Sequence, residues 1–225
     1  MPRPARKSRK AAAAAAIMPA TAPSADARAQ RGAARREAIL AAALEEFSVN
    51  GFAATRLDDV ARRAGIAKGT IYLYFSDKET LFQELLRGMF APIVQALERG
   101  PPDARPVRET IEQLVDLFVR EVIGTRRGDV IRLIIAEGAR FPKLAEFHYR
   151  EVVSRALAAL GALMARAVER GEVRSSAYAR HPQLLIAPGL VAALWSGLFE
   201  RFAPLDVAAM MRAHLDIVFG ERSAR

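Results

Sequence analysis

Residues 57 to 79 read LDDVARRAGIAKGTIYLYFSDKE. Leu57, Val60, Ala61 and Ala64 recur at spacings of three and four, which is the period of one face of a helix. Gly65 interrupts that period, and a second short helix is expected from about Ala67 to Tyr74. The small side chains of Ala61 and Ala64 let the two helices approach closely, the arithmetic of a helix-turn-helix. On the second helix Ile71 and Phe75 share a face directed at Leu40, Phe47 and Val60. Lys68, Thr70, Tyr72 and Leu73 are left outward. Tyrosine hydroxyls at 72 and 74 and ammonium groups at 68 and 78 suit phosphate oxygens. Thr70 offers a hydroxyl and a methyl for a base edge or a phosphate, and Leu73 an apolar surface for a thymine methyl.

The same glycines superficially resemble a nucleotide-binding loop. That loop needs G-x-x-x-x-G-K-[ST] after a buried strand. Here Gly65 and Gly69 are one residue too close, Lys68 precedes the second glycine, and no strand pattern comes before. The phosphate-loop reading is rejected.

Outward from this segment the chain reads as helix almost throughout. Arg35 to Val49 places Ile39, Leu40, Ala43, Leu44 and Phe47 on one face, and Asn50-Gly51 stops it. Thr55 is expected to cap the helix from Leu57, and Ser76 to Glu79 forms a capping-box pattern opening the next helix. Beyond Gly100-Pro101-Pro102, helical periods cover Val107–Ile123, Asp129–Ala139, Lys143–Arg170, Pro182–Phe202 and Asp206–Phe219. Pro142 suits a first helical turn, and Pro188 is expected to kink or loosen its helix. No period-two strand pattern occurs, so the fold is expected to be all-α.

Composition narrows the function classes. The 225 residues contain no cysteine, which excludes disulfides and thiolate chemistry and fits a reducing cytoplasm. The net charge of +9 is uneven: residues 1–75 hold 13 basic against 6 acidic side chains. An anionic partner is expected there, nucleic acid before acidic lipid. His148, His181 and His214 have no metal-ligand spacing, and neither a nucleophile-base set nor a cofactor loop is found. No metal, no cofactor and no enzymatic activity are expected. No apolar run approaches the roughly 20 residues that span a bilayer, so no membrane is expected as a partner. Residues 1–30, rich in Ala, Pro and basic side chains, read as a disordered arm rather than a signal peptide.

Residues 51 to 82, GFAATRLDDVARRAGIAKGTIYLYFSDKETLF, closely resemble the DNA-binding region of the TetR/AcrR family of transcriptional regulators. The resemblance runs collinearly from about Arg35 to Leu86. It rests on Gly51-Phe52-x-x-Thr55, Asp59-Val60-Ala61-x-x-Ala64-Gly65, Lys68-Gly69-x-x-Tyr72-x-Tyr74-Phe75 and Lys78-Glu79-x-Leu81. It implies a homodimer whose two readers enter adjacent major grooves of a palindromic double-stranded DNA operator. By analogy Thr55, Lys68, Tyr72, Tyr74 and Lys78 contact phosphates. Ala67, Gly69, Thr70 and Leu73 lie nearest the bases, with Arg56 as a further candidate reader. The implied organisation is an arm (1–30), a three-helix helix-turn-helix DNA-binding domain (31–76) and a larger helical ligand-binding and dimerisation domain (77–225).

In that family the C-terminal region dimerises and encloses a ligand cavity. The sequence here is consistent with both. The segment from Pro182 to Phe202 is too apolar for a free surface. Leu185, Gly189, Ala192, Ala193, Leu194 and Gly197, with Met211, Leu215 and Val218, are expected to form a four-helix interface across a two-fold axis; the alternative is that both helices complete a monomer core. Residues 132–153, RLIIAEGARFPKLAEFHYREVV, resemble a segment found in a subset of these regulators that includes efflux-pump repressors. Candidate pocket residues are Met89, Phe90, Phe118, Phe141, Phe147, Tyr149 and Trp195, with Arg132, Glu137 and His148 as polar anchors or surface groups. The expected function is a repressor released from its operator by a small apolar or amphipathic inducer. The alternative is a ligand-independent, architectural DNA-binding protein that uses the basic arm.

Overall fold

Glycines with positive φ, at 51, 65, 100, 124, 171 and 220, cut the chain into helices. In the computed structural model, which describes residues 25–100 and 105–221, no strand occurs among the described residues. The elements are α1 Ala25–Ala54, α2 Leu57–Arg63, α3 Lys68–Ile71, α4 Lys78–Arg99, α5 Val107–Glu121 and α6 Arg126–Glu137. Then come α7 Pro142–His148, a π-helical turn Tyr149–Val153, α8 Ser154–Glu169, α9 Ala177–Arg180, α10 Gln183–Leu198 and α11 Val207–Phe219. Among the described residues no helix is long and apolar enough to cross a membrane. The chain divides into two units at Arg35, and the account below concerns residues 36–225.

Two apolar cores organise that unit. The first joins Ile39, Phe47 and Phe52 of α1, Val60 and Ala61 of α2, and Ile71 and Phe75 to Phe82 and Leu86 of α4, and continues to Val130 and Leu144. Its centre is aromatic: Phe82 meets Phe47 edge-on at 5.0 Å and Phe52 at 5.5 Å, and Phe52 meets Phe141 at 4.9 Å. The second joins Val107, Ile111 and Val115 of α5 to Leu163 and Met164 of α8, Leu185 and Ala192 of α10, and Met211 and Leu215 of α11. The all-α expectation is met, and the helix-turn-helix shares one core with the helix that leaves it.

Several local expectations are corrected. α1 begins at Ala25, inside the segment expected to be a disordered arm; residues 1–24 of that arm lie outside the described residues. The cap of α2 is Arg56, with no side-chain bond, because the Thr55 hydroxyl turns inward and donates to the Gly51 carbonyl at 2.7 Å. The cap of α4 is Asp77 rather than Ser76: its carboxylate accepts from the Thr80 N–H at 2.7 Å, which holds its pKa below the ordinary value. The single helix expected from Lys143 to Arg170 contains the π turn, closed by Ser154 N–H on the Tyr149 carbonyl. Regular periodicity does not anticipate such an inserted residue. Pro142 does open α7, and α10 continues through Pro188.

Two expected outcomes follow from burial. Phe82 is fully buried against two rings, so Phe82→Ala is expected to cost about 3–5 kcal/mol in urea unfolding. His148 lies edge-on to Phe90 with its Nδ1 buried and unpartnered among the described residues, and burial pushes its pKa down to about 4. The folded state thus binds fewer protons than the unfolded chain. Its stabilising contribution is present above the ordinary value of 6.5 and is lost as pH falls from there to about 4. His214, lowered in the same direction by burial, adds to the slope. Unfolding stability measured across that window should fall, and His148→Leu should flatten the fall.

Candidate nucleic-acid interface

The turn between α2 and α3 is closed by its own backbone. Ile66 N–H donates to the Ala61 carbonyl at 3.0 Å and Gly65 N–H to the Arg62 carbonyl at 3.2 Å. This paired pattern needs a left-handed residue between the helices, and Gly65 supplies it at φ +68°. α3 is one turn long, extended through Tyr74 by Leu73 N–H on the Thr70 carbonyl and Tyr74 N–H on the Ile71 carbonyl. Ile71 and Phe75 fix it to the core, fully buried as expected. The Arg36 guanidinium covers the Phe75 ring at 5.5 Å and pairs with Glu84 of α4.

The outer face of this element carries Ala67, Lys68, Gly69, Tyr72 and Leu73, all exposed, with Thr70 half-buried; Leu73 is 83% exposed. Arg56 is exposed at the start of α2. Gly69 is informative. Its φ is not positive, and an added Cβ would meet nothing within 4 Å. The fold therefore does not require glycine there, although glycine in a helix costs about 0.5–1 kcal/mol.

Charge on this face is organised rather than free. Lys68 Nζ lies 2.7 Å from Asp58, and this ammonium holds the Asp58 carboxylate below its usual range, with a smaller effect from the Tyr72 hydroxyl. The same pairing raises Lys68. A phosphate at Lys68 must compete with Asp58.

Two expected phosphate contacts are placed otherwise. Thr55 is 2% exposed, and its hydroxyl is spent on the Gly51 and Glu46 carbonyls. Lys78 donates to the carbonyls of Phe52 (2.8 Å), Ala53 (2.8 Å) and Thr55 (3.2 Å), which uses all three of its N–H bonds. Burial lowers its pKa. Thr55 is buried and Lys78 is half-buried with its ammonium spent on backbone carbonyls. Tyr74 is half-buried against the core. Glu137, at the end of α6, completes the arrangement: its carboxylate accepts from the N–H groups of Phe52 (2.9 Å) and Ala53 (3.0 Å). A side chain at Gly51 would collide with that carboxylate. Asn50-Gly51 signalled the end of the helix in the sequence, but nothing local named the partners of the turn that follows.

The expected pocket residues divide. An apolar cavity of about 230 Å³ lies among α4, α5, α8 and α10, and its lining side chains are all apolar. Phe90 and Phe118 line it; Met89, Arg132, Phe141, Phe147, His148, Tyr149 and Trp195 do not. Phe141 is taken by the aromatic cluster, and Phe147 lies buried under the Arg87 guanidinium. Arg132 pairs with Asp129 and donates to the Ala193 carbonyl at 3.0 Å. Tyr149 is exposed, and Trp195 donates to the Ala203 carbonyl at 2.7 Å. Lining residues absent from the sequence reading include Val152 and Val153 of the π turn.

The expected interface residues mostly face inward. Leu185, Gly189, Ala192, Ala193, Met211, Leu215 and Val218 are buried within the chain itself, Gly189 against the Phe118 ring. Leu194 is half-buried, and the exposed Gly197 lies under the Arg132 side chain. The uncovered apolar side chains are others: Leu184, Leu190, Val191 and Leu198 on α10, and Ile217 on α11.

Asp58→Asn is expected to leave the fold intact and release Lys68. DNA affinity should rise for all sequences alike, and the slope of log affinity against log salt should steepen by about one, measured by fluorescence anisotropy over a salt series.

Comparison with known proteins agrees with this geometry in both parts of the chain. Residues 39–85 match the family of bacterial regulatory proteins, tetR family, and residues 101–214 match the tetracyclin repressor-like C-terminal domain. YdeS of Bacillus subtilis (strain 168), an uncharacterized HTH-type transcriptional regulator, is 31% identical over 157 residues; the match covers 65% of this chain and 73% of YdeS. YhgD of the same organism, also an uncharacterized HTH-type regulator, is 34% identical over 79 residues, covering 35% of this chain and 41% of YhgD. Among solved structures, SmeT of Stenotrophomonas maltophilia in complex with triclosan superposes with a TM-score of 0.70 at 23% identity, covering 82% of this chain and 89% of that one. The reader built on α2 and α3 and the helical body behind it are thus both matched, and the chain belongs to the TetR family of DNA-binding helix-turn-helix transcriptional regulators.

Proposed function

We propose that the protein is a ligand-responsive repressor that binds a palindromic operator as a homodimer and leaves it when a small apolar or amphipathic molecule occupies the cavity. One observation carries this reading: α4 takes part in both sites. Its first residue, Lys78, holds the turn beside the reader, and Phe90, Ile93 and Leu97 further along line the cavity. A helix of 22 residues spans about 33 Å. A ligand that displaces the cavity end of α4 shifts the reader end with it. It thereby selects between dimer states that fit and do not fit adjacent grooves. The complex of SmeT with triclosan supports a small-molecule occupant in this fold.

On this reading residues 31–76 bind DNA in the cytoplasm, and residues 77–225 sense the ligand and dimerise. Lys68, Tyr72 and Arg56 meet phosphates, while Ala67, Gly69, Thr70 and Leu73 face the bases. The two-fold contact uses the uncovered side chains of α10 and α11. Half-site spacing then follows from two readers on one dimer, about 34–36 Å apart.

Selection of bound sequences from a random DNA pool is expected to return an inverted repeat. Operator affinity unchanged by every small molecule shown to bind would overturn the inducer reading. Ile217, 78% exposed, tests the dimer: Ile217→Glu should shift sedimentation toward the monomer and weaken operator binding at least tenfold, with helix content by circular dichroism unchanged and any loss of unfolding stability dependent on protein concentration.

A further inference from the structure

The apolar cavity does not stand alone. A second cavity of about 510 Å³ lies between α4, α5 and α8, and Leu97, Leu114 and Leu117 line both. The two differ in chemistry. The first presents no polar side chain, whereas the second presents Arg99, Arg105, Arg120 and Arg166. Among its lining residues Glu98 is the one carboxylate, and it is already engaged: Arg155 reaches its two oxygens at 2.7 and 2.6 Å. Arg99 has no acidic partner among the described residues, and Arg105 is oriented by Gln113 at 2.6 Å. Arg120 meets Glu121 at 3.3 Å, but that carboxylate is shared with Arg127 at 2.7 Å.

The wholly apolar cavity stabilises a hydrocarbon through the area removed from water. It offers nothing to a polar head, whose burial there without a hydrogen bond is unfavourable. A molecule that enters with a tail must leave its head at the mouth, and the shared leucines lead to a groove of guanidinium groups. Guanidinium forks match carboxylate and phosphate oxygens in bidentate fashion and repel cationic heads. From this juxtaposition we infer that the ligand is an anionic amphiphile, with its hydrocarbon tail in the apolar cavity and its oxyanion head on Arg99, Arg105 and Arg120. The inference rests on the ligand-responsive reading and names the chemical class of that ligand.

Four probes of equal chain length separate head from tail: dodecanoate, dodecyl phosphate, dodecanol and dodecyltrimethylammonium. Each is titrated below its micellar concentration into the full chain by calorimetry, and into the operator complex by anisotropy. The two anions are expected to bind at least tenfold more tightly than the alcohol, and the cation most weakly. If only one anion shows the advantage, the head is a carboxylate or a phosphate accordingly. In the doubly substituted Arg99→Ala, Arg120→Ala chain, both changes are at exposed positions, and circular dichroism checks the fold. There the anions should weaken to the level of the alcohol, with dodecanol binding unchanged. Dodecanol binding as tightly as the tighter of the two anions would overturn the inference, and so would anion binding indifferent to the double substitution. In both cases dodecanol-driven operator release would leave the regulator reading standing. Anions that bind as expected without shifting operator affinity would instead keep the head-group site and count against the ligand-responsive reading.

Discussion

The turn from Gly51 to Thr55 is held from two sides, and the placement of the reader depends on that grip. Lys78 takes the carbonyls of Phe52, Ala53 and Thr55, while Glu137 takes the N–H groups of Phe52 and Ala53. The Lys78 ammonium also sits over the Phe52 ring at 4.8 Å. Hydrogen bonds to charged groups contribute about 1.5–3 kcal/mol each, though bonds that share one ammonium are not additive. The turn thus joins the first residue of α4 to the last residue of α6. Only glycine fits at 51, on two counts: its φ is +72°, and a Cβ would collide with Glu137. The consequence is mechanical. α2 follows the clamped turn directly, and α3 is fixed to α2 through the Gly65 turn, so the reader moves as the clamp moves.

What the sequence disclosed and what it withheld divide along the range of the interactions. Helix faces with a strong period were legible: Ile71 and Phe75 inward, Lys68, Tyr72 and Leu73 outward, and Gly65 as the hinge between two helices. Those rules are local, and the family resemblance in the same stretch rests on the same residues. Lys78 was expected on a phosphate, and Thr55 as a cap and a phosphate contact, because their actual partners are backbone carbonyls that no spacing names: three near residue 53 for the lysine, and those of Glu46 and Gly51 for the threonine. A lysine has the same identity whether it meets a phosphate or caps a turn. Only the tertiary position of α4 decides, and no spacing encodes it.

The C-terminal body shows the other limit. α10 is apolar nearly all round, so periodicity does not say which face meets its own chain. Ala192, Ala193 and Gly189 were expected to meet a second copy because small residues permit close approach. They do permit it, but towards α5 and α6: Gly189 accommodates the Phe118 ring, and the Ala193 carbonyl receives Arg132. The large aliphatic side chains are the ones left outside. Aromatic residues misled in part. Phe141 and Phe147 belong to the core around the reader; Phe90 and Phe118 do line the cavity, but most of its wall is leucine, isoleucine and valine that no motif distinguishes from ordinary core.

α6 makes sense of the whole arrangement. Ile131 lines the cavity, and Arg132 ties the helix to α10. Arg127 donates to the Met89 carbonyl of α4 at 2.9 Å, and Arg126 pairs with Glu45 of α1 at 2.6 Å. Glu137 grips the turn at its far end. α6 is therefore tied by polar contacts to α1, α4, α10 and the turn, while Val130 packs into the first core and Ile131 faces the cavity. Directional bonds transmit displacement and apolar packing absorbs it. On the proposed ligand-responsive reading, a molecule inserted beside Ile131 would press on α6, whose polar contacts reach α1, α4 and α10.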